Sequence, residues 1–76
     1  MNGTAEGIHA GDVVVVVDAA GERLPRRALG SRVMGSSFEV IWVCREDEWH
    51  AAQREGRRPD GVPWPAQDVM PSDASA

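Results

Sequence analysis

The chain has 76 residues and a formal charge of −4, from twelve acidic residues against eight basic ones, all of them arginine. That length supports one hydrophobic core and no separate catalytic domain, so any function is carried by a single surface. One cysteine, Cys44, rules out an internal disulfide; the negative balance disfavours nucleic acid without excluding a local basic strip; and no run of eighteen apolar residues is present to cross a membrane.

Residues 1–7 are small and polar, without the basic start and long apolar run of an export signal, and residues 71–76 also give nothing to bury. The expectation is a cytoplasmic protein with a disordered N-terminus (1–7), one globular domain (8–70) and a disordered tail (71–76). Five consecutive β-branched residues, Val13 to Val17, bracketed by Asp12 and Asp18, predict a strand buried on both faces. Ala20-Gly21-Glu22 supplies turn chemistry and Pro25 resists a central strand position, which places a loop over about residues 19–25. Arg26 to Met34, with Leu29 and Val33 at even spacing, then forms a hairpin through Gly35-Ser36-Ser37 with a second apolar run. In that run Phe38, Val40, Trp42 and Cys44 alternate to one face, assigned to the core, and Glu39, Ile41, Val43 and Arg45 to the other.

Glu46-Asp47-Glu48 places negative charge at a helix start, Arg54 lies in the last turn and Gly56 stands where a left-handed cap is wanted. A helix over about 47–55 follows, anchored by Trp49 with Ala52 and Gln53 on one face. Prolines around Trp64 hold Val62 to Pro65 extended, and Gln67 to Met70 closes as a short strand. These elements suit a mainly β fold with a minor helical part: a small, partly open barrel of about four to five short strands, with one short helix near 47–55.

The Gly11-Asp12 opening with its valine strand, the arginine-containing hairpin ending at Gly35, the Phe38-Glu39-Val40-Ile41-Trp42 strand and the Pro63-Trp64-Pro65-Ala66-Gln67-Asp68-Val69 segment together resemble short actinobacterial proteins of a domain-of-unknown-function type. The likeness runs from Gly11 to Val69, interrupted by the segment from Arg45 to Arg58. It implies an SH3-like small barrel and no particular activity.

The residues that could carry chemistry have structural readings beside the functional ones. Cys44 and His50 could make a thiolate and base, but Cys44 shares the core alternation, where thiols are inert. Glu46 and His50, four apart on one helix, fall short of a structural zinc set. No glycine cluster opens a helix as a phosphate loop requires. The sequence therefore points to no catalytic residue, metal or cofactor. Its sharper signal is arginine near tryptophan: Arg26, Arg27, Arg32, Arg57 and Arg58, with Trp64 as a stacking plate, could grip an acidic or extended partner. The structural alternative has Trp64 plugging the barrel and the arginines paired with Glu46, Asp47, Glu55 and Asp60. The expected function is a non-enzymatic binding or adaptor module for a protein or peptide, monomeric or weakly dimeric; the alternatives are a protein that self-assembles through a strand edge and an enzyme accessory protein.

Overall fold

The computed structural model describes residues 7–72, so the expectations for residues 1–6 and 73–76 lie outside the described residues. In chain order the elements are β1 (Val13–Val17), β2 (Arg23–Ala28), β3 (Val33–Met34), β4 (Glu39–Cys44), α1 (Glu46–Glu55), β5 (Val62–Pro65), a 3-10 turn (Ala66–Asp68) and β6 (Val69–Pro71). The fold is mainly β: six strands form one curled, half-barrel sheet in the order β3-β4-β2-β1-β6, with β5 on the other flank of β4. All pairings are antiparallel. The sheet reaches Pro71, opposite Val14, one position beyond the expected end of the domain.

Val14 and Val16 are completely buried, whereas Val13, Val15 and Val17 are half-buried. The expectation of a strand covered on both faces therefore holds for one face only, because the sheet curls around a single core. Asp18 organises the turn that follows: its carboxylate accepts the amides of Ala20 and Glu22, its carbonyl accepts that of Gly21, and Gly21 takes the positive φ of 83° that the turn demands.

The loop expected over 19–25 is corrected: β2 begins at Arg23 and includes Pro25. The hydrogen bonds explain how. Asp18 N–H donates to Glu22 and Ala28 N–H to Asp12, which sets the even-numbered residues of β2 toward β1 and leaves Pro25, opposite Val15, in a non-bonded position. Its missing N–H faces the side where β4 pairs only with Arg27 and Ala28.

The facing of β4 is also corrected. Ile41 and Val43 are 0% and 1% exposed and form the core with Val14, Val16, Ala28 and Val69, while Phe38 and Trp42, expected inside, are 56% and 44% exposed. Alternation separates two faces but does not say which is inward, and here both faces carry apolar residues. Val40 and Cys44 are buried nonetheless; Val40 lies between Val33 and Pro65 in the neighbouring strands.

Helix α1 has the acidic first turn and Arg54 in the last turn, and ends as its sequence dictates: Gly56 sits at φ 67°, ψ 32° and its N–H donates to the Ala52 carbonyl. Ala52 is the buried residue of the helix; Trp49 is half-buried and Gln53 is exposed, so the anchoring face is narrower than expected.

Candidate functional site

The six residues singled out by the sequence do not form one face. Trp64 is half-buried against the core, and its indole N–H donates to the Val17 carbonyl at 3.0 Å, tying β5 to the end of β1. An amphipathic ring with its polar atom satisfied is a plug, with little left to stack on a partner. Arg26 and Arg27 are neighbours on a strand and point to opposite faces. Arg26 donates to the Pro25 carbonyl, while Arg27 grips Glu46 through two bonds of 2.9 Å, reaches the Gly11 carbonyl at 2.8 Å and lies 5.8 Å from the Trp49 ring centroid. Arg27 is thus a latch joining β2, the N-terminal turn and α1.

Arg57 is a second latch. It bonds Glu48 at 2.6 Å and Glu55 at 2.6 Å, and Glu48 also accepts the Asp60 amide at 2.9 Å. The pairing differs from the sequence alternative, which omitted Glu48. Its effect is to tie the loop after α1 to the helix at Arg57 and Asp60. The latches leave their mark on acidity: the Arg27 hydrogen bond, aided by His50, holds Glu46 down at about 2, and Arg57 with the Asp60 amide holds Glu48 at about 2. Cys44 moves the other way, its thiol pushed up by burial and by Glu48 and Glu46 nearby. Such a thiol is a packing group. Among the described residues no group of three or more His, Cys, Asp or Glu side chains could hold a metal ion, and no helix is long and apolar enough to cross a membrane.

Arg32 and Arg58 have a different setting. Arg58 makes no side-chain ion pair among the described residues and stands on the rim of a cleft of about 710 Å³, whose walls include Leu29, Val33, Trp42 and Trp49. Trp42 is also a wall of an adjoining hollow of about 420 Å³, formed with Met34, Phe38, Pro63 and Pro65. Phe38 and Pro65 in turn border a third hollow, of about 540 Å³, where Arg32 stands with Glu39, its partner at 3.2 Å. The three hollows share walls. The two hollows that share Trp42 line the outer face of β3, β4 and β5, where the registers place Val33 and Pro65 beside Val40, and Pro63 beside Trp42, while the third opens at the start of β4, where Glu39 lies on the side of Ile41 and Val43.

The candidate site is therefore this aromatic ridge, with Trp42 and Phe38 as its crests and Arg58 on the rim of the cleft beside Trp42. Sequence reading placed Trp42 and Phe38 inside because a strand with two apolar faces invites the larger residues to be placed there, and it gave Trp49 only as the anchor of the helix. The usable signal was proline: Pro63 and Pro65 leave one edge of their strand without donors, which marks β5 as the flank of the sheet and its outer face as open.

The chain matches no protein-family model, no curated protein and no solved structure.

Proposed function

We propose that the protein is a small non-enzymatic binding module with an SH3-like barrel, and that its contact face is the Trp42 and Phe38 ridge. The observation carrying this reading is the exposure of Trp42, Phe38 and Val33 at 44%, 56% and 47% on one side of a sheet whose core is small. A domain of this size gains stability from every large apolar side chain that it buries, so leaving these outside costs folding energy that contact with a partner recovers. The SH3-like assignment draws support from the strand order β5-β4-β2-β1-β6 and the 3-10 turn joining β5 to β6. A cleft of about 710 Å³ between two tryptophans is of the size that receives side chains of a bound segment.

Self-assembly through a strand edge has weaker support. The Leu29 amide donates to the Trp42 carbonyl, so Ile41 and Val43 face β5 and pair with Trp64 and Val62, leaving Pro63 and Pro65 outward. At the other flank the Ser72 amide donates to Val13, so Met70 bonds β1 while Val69 and Pro71 face outward; the Val69 amide is taken by the Ala66 carbonyl. Neither β5 nor β6 has a free outward N–H for an incoming chain, and the remaining edge strand, β3, is only two residues long.

The reading is tested by NMR titration of labelled protein with a proline-rich acidic peptide, its basic counterpart and a thymidine oligonucleotide. Saturable shifts of the Trp42 and Trp49 indole signals, with Trp64 unmoved, are expected. Silence with every probe at millimolar concentration would remove the binding reading.

A further inference from the structure

Resting on that reading, we infer that the cleft walled by Trp42 and Trp49 is a site for a free α-amino acid with a large apolar side chain, its carboxylate held by Arg58, its ammonium by Asp60 and its side chain against the tryptophans. The charges of the cleft lead there. Its walls include Leu29 and Val33 beside the two tryptophans, and the charged residues on its rim are Arg58 and Asp60. Arg27, Arg32 and Arg57 each hold a glutamate, whereas the side chains of Arg58 and Asp60 have no hydrogen bond or ion pair among the described residues, even with each other.

A cation and an anion two positions apart, both exposed and both unmatched, single out a ligand that carries both signs. A lone carboxylate or phosphate arriving at Arg58 meets the like charge of Asp60, and a lone amine at Asp60 meets Arg58. A zwitterion satisfies both: the guanidinium takes the carboxylate with two parallel hydrogen bonds, and the aspartate takes the ammonium. Having no net charge, such a ligand is also not repelled at long range by a protein of charge −4. In an α-amino acid the two charged groups leave one carbon, so the side chain on that carbon is free to lie on the apolar walls, where an aromatic ring stacks on indole.

The walls and rim are set before a ligand arrives. The Leu29 amide donates to the Trp42 carbonyl at 2.7 Å, and Gly61 lies so near that a Cβ there would stand 2.5 Å from Leu29 Cδ1. Trp49 is held by Arg27, itself fixed to Glu46 and to the Gly11 carbonyl and 5.8 Å from the ring centroid, and by Gly11, whose Cβ would stand 3.4 Å from the ring. On the rim, Glu48 takes the Asp60 amide and Arg57, while Pro59 restricts Arg58 to extended backbone. A prepared cleft lowers the ordering cost that a small ligand must offset, and about 710 Å³ is within the range of small-molecule sites.

The test is an NMR titration of the labelled full chain with phenylalanine, N-acetylphenylalanine, phenylalaninamide and alanine, reading the indole signals. It is repeated on Arg58→Gln and Asp60→Asn, each checked for folding by circular dichroism; Asp60→Asn keeps the backbone amide that Glu48 accepts. Phenylalanine is expected to shift Trp42 and Trp49 and leave Trp64 unmoved, with each of the other three compounds about tenfold weaker or more. Asp60→Asn should abolish the preference over N-acetylphenylalanine, and Arg58→Gln the preference over phenylalaninamide. Equal binding of phenylalanine and its N-acetyl form would overturn the zwitterion and leave a site for a carboxylate; equal binding of the amide would overturn it in favour of an amine. Silence with phenylalanine where a peptide moves the same indoles would overturn this inference and leave the binding module standing, whereas silence with every amino acid and every peptide would overturn both.

Discussion

At the scale of the residue, two glycines show how differently a missing Cβ can matter. Gly56 is required by its positive φ, and that requirement was legible in the sequence from the acidic start and arginine end of α1. Gly61 is required by contact. A Cβ there would stand 2.6 Å from the Val43 carbonyl oxygen and 2.5 Å from Leu29 Cδ1, so β5 could no longer approach β4 at Val43. Gly61→Ala is expected to lower stability by about 1–3 kcal/mol, measured by urea unfolding, whereas Gly21→Ala meets no atoms and is penalised only by its backbone angle. The role of Gly61 was not legible, since it comes from a strand eighteen positions away in sequence. Trp64 illustrates the same limit from the other side: the sequence raised both the plug and the stacking plate, and only the Val17 carbonyl chooses the plug.

At the scale of the element, the valine strand, the β3 to β4 turn at Gly35, the helix and the closing segment were all readable, because each has a local cause in β-branching, glycine, charge or proline. Two things were not. Pro25 sits inside β2 since the pairing puts it at a non-bonded position, which depends on the partner strand and not on the proline. The facing of β4 depends on which side the rest of the sheet curls toward. The prolines of β5 carry a consequence of their own. Replacing Pro63 and Pro65 together by valine restores two outward amides on a flanking strand of high β-propensity. The double variant is expected to associate as concentration rises, detectable by sedimentation velocity. A variant remaining monomeric over the same range as the natural chain would mean that the prolines do not guard the edge.

At the scale of the whole molecule, two arginine latches hold the helix and its loop against the sheet: Arg27 on Glu46, and Arg57 on Glu48 and Glu55. Glu46 is exposed and Glu48 half-buried, and both are held at about 2, below the 4.5 of an unpaired glutamate. A carboxylate whose folded pKa is depressed contributes stability that is present above the unfolded value and lost as pH falls toward the folded one. Acid unfolding should therefore steepen between about 4.5 and about 2. Glu46→Gln should flatten that dependence in a pH series of thermal melts while Glu22→Gln, remote from either latch, leaves it unchanged. The same latches shape function, because the loop that Glu48 pins through the Asp60 amide carries Arg58 to the rim of the cleft.

The central claim is that the molecule keeps Trp64 for its own core and presents Trp42 to others, and it can be tested on the free protein by hydrogen exchange of the three indole N–H groups. The Trp64 proton, bonded to the Val17 carbonyl, is expected to exchange slowly, and the Trp42 proton at close to the rate of a free indole. A protected Trp42 beside a freely exchanging Trp64 would reverse the facing of β4 and β5 and contradict the account.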